Sequence, residues 1–506
     1  MQKNYDVIKL KRERYSFDFG YFLKGINSSI DQSVQSMQYA SEFYNFSNEK
    51  GVLQTGLGLK ELTFYSKVVQ EEVGINPLSY EGNIVNLYTF SYYDDVAGEY
   101  VSCLIAYTTA NKLYSLAYTT ISRVFIDVTN NGMIFTQKPL LQSYLMQDMT
   151  ERLLVSTKDE GLNVIDIYGD VEKAISAPQI RSMCVHYDRV FAITSSGENA
   201  VWFSDDLNPV NWNASLTEGG WIGINDDLGE CNKIISFNGY VYIFRSYGIT
   251  RLTAFAEQET FSLFSAYTSS MRIFASTACI CGGLVYFLAS DGFYCFDGVN
   301  VSKVNVGFEK LFLNLKQENA KAVYYKNSYY IILNTTLSEI HSDSRICNTL
   351  IRFDCIDGTY DILKGVQLID IEALKARELE KLVCVEMIDY IDQDNFQTRL
   401  SEVDYIGQVH SIATKKTWLS PLTDLNQSGY SKNITNISMQ TLTDCTVTVI
   451  TERGQASVKF YGAEVSQQKP LFISGVMVQI RIDCEEKEAN ISHPIIEYSL
   501  GNINAR

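Results

Sequence analysis

The residues able to do chemistry are few, and their spacing is what matters. Three carboxylates crowd one stretch, Glu198, Asp205 and Asp206, and a propeller glycosidase or sialidase would work with inward carboxylates of this kind. The fragments Ser290-Asp291-Gly292 and Ser195-Ser196-Gly197 match only part of the Ser-x-Asp-x-Gly-x-x-Trp box of such enzymes. No Gly-x-Ser-x-Gly elbow is present. The four histidines, His186, His341, His410 and His493, have no metal-ligand spacing, and His186 falls in strand alternation as a packed or surface residue. Cys279-x-Cys281 would lie on one face of a strand. The count of 11 cysteines without a CxxC pair gives neither a zinc site nor a disulfide framework, and reads as reduced thiols in a cytoplasm. Thr55-Gly56-Leu57-Gly58-Leu59 has the glycines of a phosphate loop but lacks its Gly-Lys-Ser/Thr ending, so tight turns are its plain meaning. No catalytic residue, metal or cofactor is expected.

The elements that would position these residues are strands. Ile234 to Leu252 reads IISFNGYVYIFRSYGITRL: an apolar strand, an Asn238-Gly239 turn in which both residues accept positive φ, and two more strands. The pattern returns around Gly283 and Ser328, and upstream around Arg189. The spacings are 239 − 189 = 50, 283 − 239 = 44 and 328 − 283 = 45. Weaker copies lie near Glu99, Arg152 and Lys381. A strand-rich unit repeating near 45 residues is the signature of a β-propeller, each repeat one blade. Gly239 and Gly283 are therefore expected at positive φ, and a strand near Leu62 is expected to pair with one near Leu400 to close the ring.

Composition fits a large all-β core: 506 residues, 46% hydrophobic, with 33 Tyr, 26 Phe and only 7 Pro. A net charge of −17 disfavours broad binding to a phosphate backbone. No apolar run of 18 residues or secretory leader appears, so no membrane insertion is expected.

In chain order, residues 1–60 form a leader. Asp31 stands as an N-cap before Val34, Met37, Ala40 and Phe43, whose spacing predicts a short helix. Residues 61–410 make the propeller, six- or seven-bladed, with an irregular charged stretch from Val366 to Leu382 expected as a helix or solvated insertion. Residues 411–506 carry five or more strands and read as a β-sandwich.

Three segments resemble one family. The leader holds Gly25-Ile26-Asn27, Asn45, Gly51, Gly56 and Gly58. The middle holds Trp202 to Trp212 around Pro209, with Asn208 where Asp is common, and Lys415 onward holds Trp418, Pro421 and Asp424. Together they resemble bacteriophage virion β-propeller proteins of the tail or neck. The resemblance implies a structural virion component made in the bacterial host cytoplasm. It would form a homo-oligomeric ring, a hexamer or dodecamer, against portal, adaptor or tail-tube proteins, with DNA passing through the lumen unbound in sequence. The alternative is a carbohydrate-binding or glycan-hydrolysing propeller acting at the host surface. Because neither end is needed to complete a blade, removing residues 415–506 is expected to leave a folded propeller.

Overall fold

The computed structural model describes residues 13–503 apart from 28–30, 32, 67–70, 75–79, 95–97, 117–132, 134, 159, 175, 196, 214, 216–217, 256–257, 305, 338–344, 376–379 and 393–394. His341 lies outside the described residues. Among those described, the chain is strand throughout, its only helical pieces being single 3₁₀ turns at Gln258–Thr260 and Glu309–Leu311.

Small antiparallel sheets follow one another from residue 84 to residue 304. Three strands span Ile84 to Leu116; four-stranded sheets then span Leu140–Lys173, Ile180–Gly223, Cys231–Thr268 and Ile273–Val304. Next come Lys321–Tyr325, Ser328–Leu333, Cys347–Asp354 and the 16-residue strand Tyr360–Lys375, which continues into Glu380–Asp392 and Asn395–Asp404. The first strand of each sheet packs against the first strand of the next, and Tyr360–Lys375 returns to Ile84–Asp94, closing a circle. This is β-propeller architecture.

Apolar residues fill the gap between each neighbouring pair of sheets. Phe191, Val201, Ile234 and Ile243 meet in one gap, and Phe237, Phe244, Val285 and Phe287 in the next. Such interdigitation is why the strands read as nearly continuous apolar runs rather than alternating ones: both faces are covered. The ring is shut by Gly58–Glu61, which pairs antiparallel with Asn395–Asp404, Ser401 opposite Glu61. Leu62 comes directly after, so the expected closure is present one residue early.

The repeated turn is built as its residues require. Asn238 and Gly239 have φ 46° and 77°, Gly282 and Gly283 56° and 90°, and Lys326 and Asn327 44° and 59°. Two consecutive left-handed residues match the twist of the flanking strands. A Cβ at Gly283 would meet nothing within 4 Å, so a side chain there costs only backbone strain. Gly239→Val and Gly283→Val are each expected to lose about 1–2 kcal/mol in urea denaturation, because a β-branched residue is poorly accommodated in this region. Unchanged midpoints in both variants would refute the account of the turn.

Among the described residues the leader has no helix. The Asp31 carboxylate accepts from the Ser33 amide at 2.9 Å and its hydroxyl at 2.6 Å, a local turn rather than a helix cap. Val34 is largely exposed, and Glu42–Tyr44 is a strand with Phe43 opposite Trp418. The Ser33 hydroxyl donates to the Asp31 carboxylate and the Ser36 hydroxyl accepts from the Gln38 amide, local bonds that compete with a helix, while Phe43 gains full burial only by pairing with the distant strand. The stretch Val366–Leu382 is likewise not an insertion: Ile371 to Lys375 pairs with Glu380 to Cys384 inside the closing sheet. Its alternating charges include the fully buried Asp370, held by partners that lie far away in sequence.

The two chain ends build one further unit. Tyr15–Asp18, Phe46–Glu49 and Val52–Thr55 share a seven-stranded sheet with Tyr430–Thr441, Ala463–Gly475, Asn490–Ile491 and Ile495–Ile503. Glu42–Tyr44 joins a five-stranded sheet with Lys416–Leu419, Cys445–Thr451, Gly454–Phe460 and Val478–Cys484. Their buried residues run without a break into those of the propeller: Trp418, Ile434, Val447 and Ile482 belong to the same core as Leu288, Phe293, Tyr329 and Ile331.

Candidate functional site

A concavity lies on the axis of the ring. Its volume is about 1450 Å³, and it is lined by the beginnings of the innermost strands and by the turns near Asn111 and Tyr247. The strands aim side chains into it by one recurring device. An extra residue interrupts the ladder early in the strand at Val85, Arg181 and Asn232, and past the middle of the long strand Tyr360–Lys375 at Ile369. Each of the four lines the cavity. A β-bulge of this kind bends the strand and re-aims a side chain.

Charge collects here against the trend of the chain. Among the described residues, Lys138, Arg181, Lys233, Arg272, Lys321 and Arg345 line the cavity with Glu230, Glu318 and Glu372, a formal 6 − 3 = +3 in a protein of −17. Several of these groups link one sheet to the next. Arg181 pairs with Glu230 at 2.9 Å and Arg272 with Glu318 at 3.4 Å. Both pairs are open to solvent and contribute little to stability. Lys321 pairs with Asp370, whose Oδ2 also accepts from the Leu87 amide at 2.8 Å and from Asn86 at 2.9 Å. Asp370 therefore ties three inner strands together. Burial opposes its charge, but Lys321 and Lys138 outweigh that and hold its pKa below the usual value.

The remaining lysines are differently placed. Lys233 donates to the Ala278 carbonyl at 2.7 Å, and Lys138 stands 5.9 Å from the Tyr88 ring. No carboxylate forms an ion pair with either among the described residues. Lys138 keeps contact with the solvent of the cavity. The walls around it nevertheless push its pKa down to about 8, helped by repulsion from Lys321, and enclosure lowers that of Lys233 as well. Glu372 is pushed up to about 7 by burial, with Lys321 pulling the other way.

One arrangement has the residue types of a hydrolase. His410 Nε2 lies 2.8 Å from Glu386 Oε2 and 2.9 Å from Ser401 Oγ. A nucleophile relay uses one imidazole nitrogen for the hydroxyl and the other for the carboxylate; here both partners share Nε2. Ser401 is also wholly buried. With Arg399 on Glu386 at 2.9 Å, the group is a cross-link beside the closing strand.

The residues singled out in the sequence hold the frame together. Asn45, at φ 62°, donates from Nδ2 to the Lys415 carbonyl at 2.8 Å and accepts the Lys364 amide at 2.9 Å. It thereby joins the leader, the propeller and the strand bearing Trp418. A Cβ on Gly56 would strike the Asn45 carbonyl, one on Gly58 the Gln408 carbonyl, and one on Gly25 the Tyr360 ring. Gly51 has φ 80° against Tyr21. The Asn27 amide donates to Ala40 O at 3.1 Å. Trp212 is buried and donates to the Pro209 carbonyl at 2.9 Å, and Trp202 stacks on Trp221 at 6.2 Å. Trp418 packs edge-on to Phe22 at 4.7 Å, Pro421 accepts from the Ser420 hydroxyl, and Asp424 caps a turn at Asn426. None of these residues lines the axial cavity.

Two of the carboxylates considered for catalysis are also committed. Asp205 accepts from the Gly219 amide at 2.6 Å, and Asp291 holds Lys303 at 2.8 Å and the Tyr294 hydroxyl at 2.9 Å. His186 bonds Ser236 at 2.8 Å and His493 reaches Asp18 at 3.3 Å. The thiols in the described chain are all free, and no three His, Cys, Asp or Glu among the described residues are grouped to hold a metal ion. The cationic cavity escapes a reading of the sequence because its residues are scattered from position 138 to position 345, and the closing of the ring brings them together, with Arg181 alone among the six cations at a bulge.

No family model matches the chain, and no curated protein matches it. Solved structures that resemble it in part include BBS1N in complex with ARL6DN, 8% identical with a TM-score of 0.40, over 64% of this chain and 92% of that one. The Neurospora crassa Pan2 WD40 domain is 10% identical with a TM-score of 0.35, over 69% and 94%. PorZ of Porphyromonas gingivalis, a bacterial surface component of the type-IX secretion system, is 11% identical with a TM-score of 0.35, over 77% and 46%. Overlap this partial says nothing of activity or partners.

Proposed function

We propose that the chain is a non-enzymatic structural component of a bacteriophage virion, assembled as a homo-oligomeric ring in the tail or portal-proximal neck. Seven blades are counted in this reading, one for each inner strand from Ile84–Asp94 to Tyr360–Lys375, with the two sheets from the chain ends as an accompanying β-sandwich. The sequence resemblance in the leader, in Trp202 to Trp212 and from Trp418 to Asp424 supports the virion assignment.

The observation that carries the assembly reading is the strand Ala463–Gly475. It has a single ladder partner among the described residues, Tyr430–Thr441, and so forms a sheet edge. Val465 and Phe472 on it are 69% and 79% exposed, and Tyr461 and Leu442 nearby are more than half exposed. Apolar side chains grouped on an edge mark an interaction surface. Pro470 lacks an N–H, so the contact with a second copy runs through side chains rather than through an extended ladder. A stable contact needs roughly 1,000 Å² or more of buried surface.

Electron microscopy of the purified full-length chain and of the parent particle tests this reading. Closed rings are expected, reduced to single copies by Val465→Asp with Phe472→Asp. A monomer that binds or cleaves a bacterial surface glycan would replace the structural reading with the carbohydrate one.

A further inference from the structure

We propose, independently of the assembly reading, that the axial cavity of the propeller is a binding site for a small, multiply phosphorylated anion, with Lys138 and Lys233 as its principal contacts. Four observations converge on it. The described residues of its wall carry a formal +3 while the whole chain carries −17. Its lysines come from separate sheets and converge on one space, whereas Arg181 and Arg272 each already hold a carboxylate. Lys321, which holds Asp370, stands 5.9 Å from the same Tyr88 ring as Lys138. Neither Lys138 nor Lys233 is in ion-pair contact with a carboxylate among the described residues, although Glu372 acts on both, and Asp370 on Lys138, at longer range.

A phosphate group suits this wall better than a single carboxylate. It packs up to two charges and three acceptor oxygens into one compact centre, and lysine addresses it as a point charge. The volume of about 1450 Å³ exceeds the usual range for small-molecule pockets, and it admits a hydrated anion of several phosphates but no duplex nucleic acid. The unpaired lysines and the bulge that aims Arg181 leave the wall preformed, so binding needs little rearrangement.

Proton coupling arises from the groups around Glu372. It feels Lys321 and Lys233, Asp370 on its own strand, Thr89 beside it, and Lys138, Tyr88 and Cys279 across the cavity. Below about pH 7 it is neutral and no longer repels an anion. An anion beside it disfavours the ionised carboxylate further, so binding near that pH draws a proton onto it.

Calorimetry and thermal shift with inorganic tripolyphosphate on the full chain test the proposal. One site per chain is expected. Lys138→Gln and Lys233→Gln are each expected to weaken binding about tenfold, the loss of one charge-assisted contact. Lys459→Gln on the end-built unit is expected to leave it unchanged. Both cavity variants should fold, since Lys138 is exposed to the cavity and Lys233 is only partly buried. Across pH 8 to 6, the parent should gain affinity relative to Glu372→Gln with the same ligand, so that the ligand's own titration cancels. Absent binding, several weak sites per chain, or equal loss in Lys459→Gln would overturn the proposal. Citrate binding as tightly as tripolyphosphate would overturn the phosphate assignment.

Discussion

Removal of residues 415–506 is expected to leave no soluble, cooperatively folding propeller. The sequence suggested the opposite, because the last strands complete no blade. The shared core argues against that expectation. Phe43, Phe46 and Leu53 of the leader share one buried core with Trp418, Ile437, Val449 and Ile480, and the same core includes Phe293, Phe308, Tyr329 and Ile351 of two adjacent sheets. Deleting the C-terminal strands uncovers all of these at once and removes the Lys415 carbonyl that Asn45 holds. Each fully buried aromatic or large aliphatic side chain returned to water costs roughly 1.5–3 kcal/mol, and net stability of a domain is only about 5–15 kcal/mol. Soluble yield, near-ultraviolet circular dichroism and dye binding by the truncated chain measure this. A monomeric truncated protein with a sharp melt close to the parent's would refute it. Trp418→Ala in the full chain isolates part of the effect, with an expected loss of about 3–5 kcal/mol.

Asp370→Ala is expected to cost about 3–5 kcal/mol, the range for breaking a buried ion pair and leaving its partner uncompensated. The carboxylate is fully buried and serves Lys321, the Leu87 amide and the Asn86 side chain together. Leu87 and Asp370 stand on the first and last inner strands, so their bond is a fastening of the ring beside that between Gly58–Glu61 and Asn395–Asp404. Combining Asp370→Leu with Lys321→Met should recover much of the loss, since the penalty arises from an orphaned charge rather than from lost attraction. A single variant within about 1 kcal/mol of the parent in urea denaturation would contradict the assignment. The dependence on pH has a definite sign. The folded pKa of Asp370 lies below its ordinary value of 3.8, so its contribution is present above that value and is lost as pH falls through the lowered one. Asp370→Ala should therefore show a shallower acid limb than the parent.

The repeating hairpin and the ring it builds were legible in the residues alone. Asn238-Gly239 and Gly282-Gly283 announce a turn with two left-handed residues, because few other pairs accept that backbone, and the spacing between turns sets the size of the repeating sheet. The closing strand was legible for the same reason: a ring of sheets must find a partner for its last edge. Gly25, Gly56 and Gly58 stood out locally, though the atoms that forbid a Cβ there, on Tyr360, Asn45 and Gln408, lie elsewhere in the chain.

Contacts between distant segments settled the rest. The stretch from Asp31 to Phe43 has helical spacing, yet Phe43 is buried as a strand residue because Trp418 lies opposite it. Val366 to Leu382 reads as charged and irregular, yet Asp370 is fully buried because Lys321, Asn86 and Leu87 supply its partners. The axial cations were hidden for a related reason. Lys138, Arg181, Lys233 and Lys321 look ordinary where each stands in the sequence, since single lysines and arginines mostly mark solvated surface. Strand period assigns a residue to one face or the other, but a bulge adds one residue and reverses that assignment locally. Which residues face the axis therefore depends on ladder register, and register is set by contacts between strands far apart in the chain.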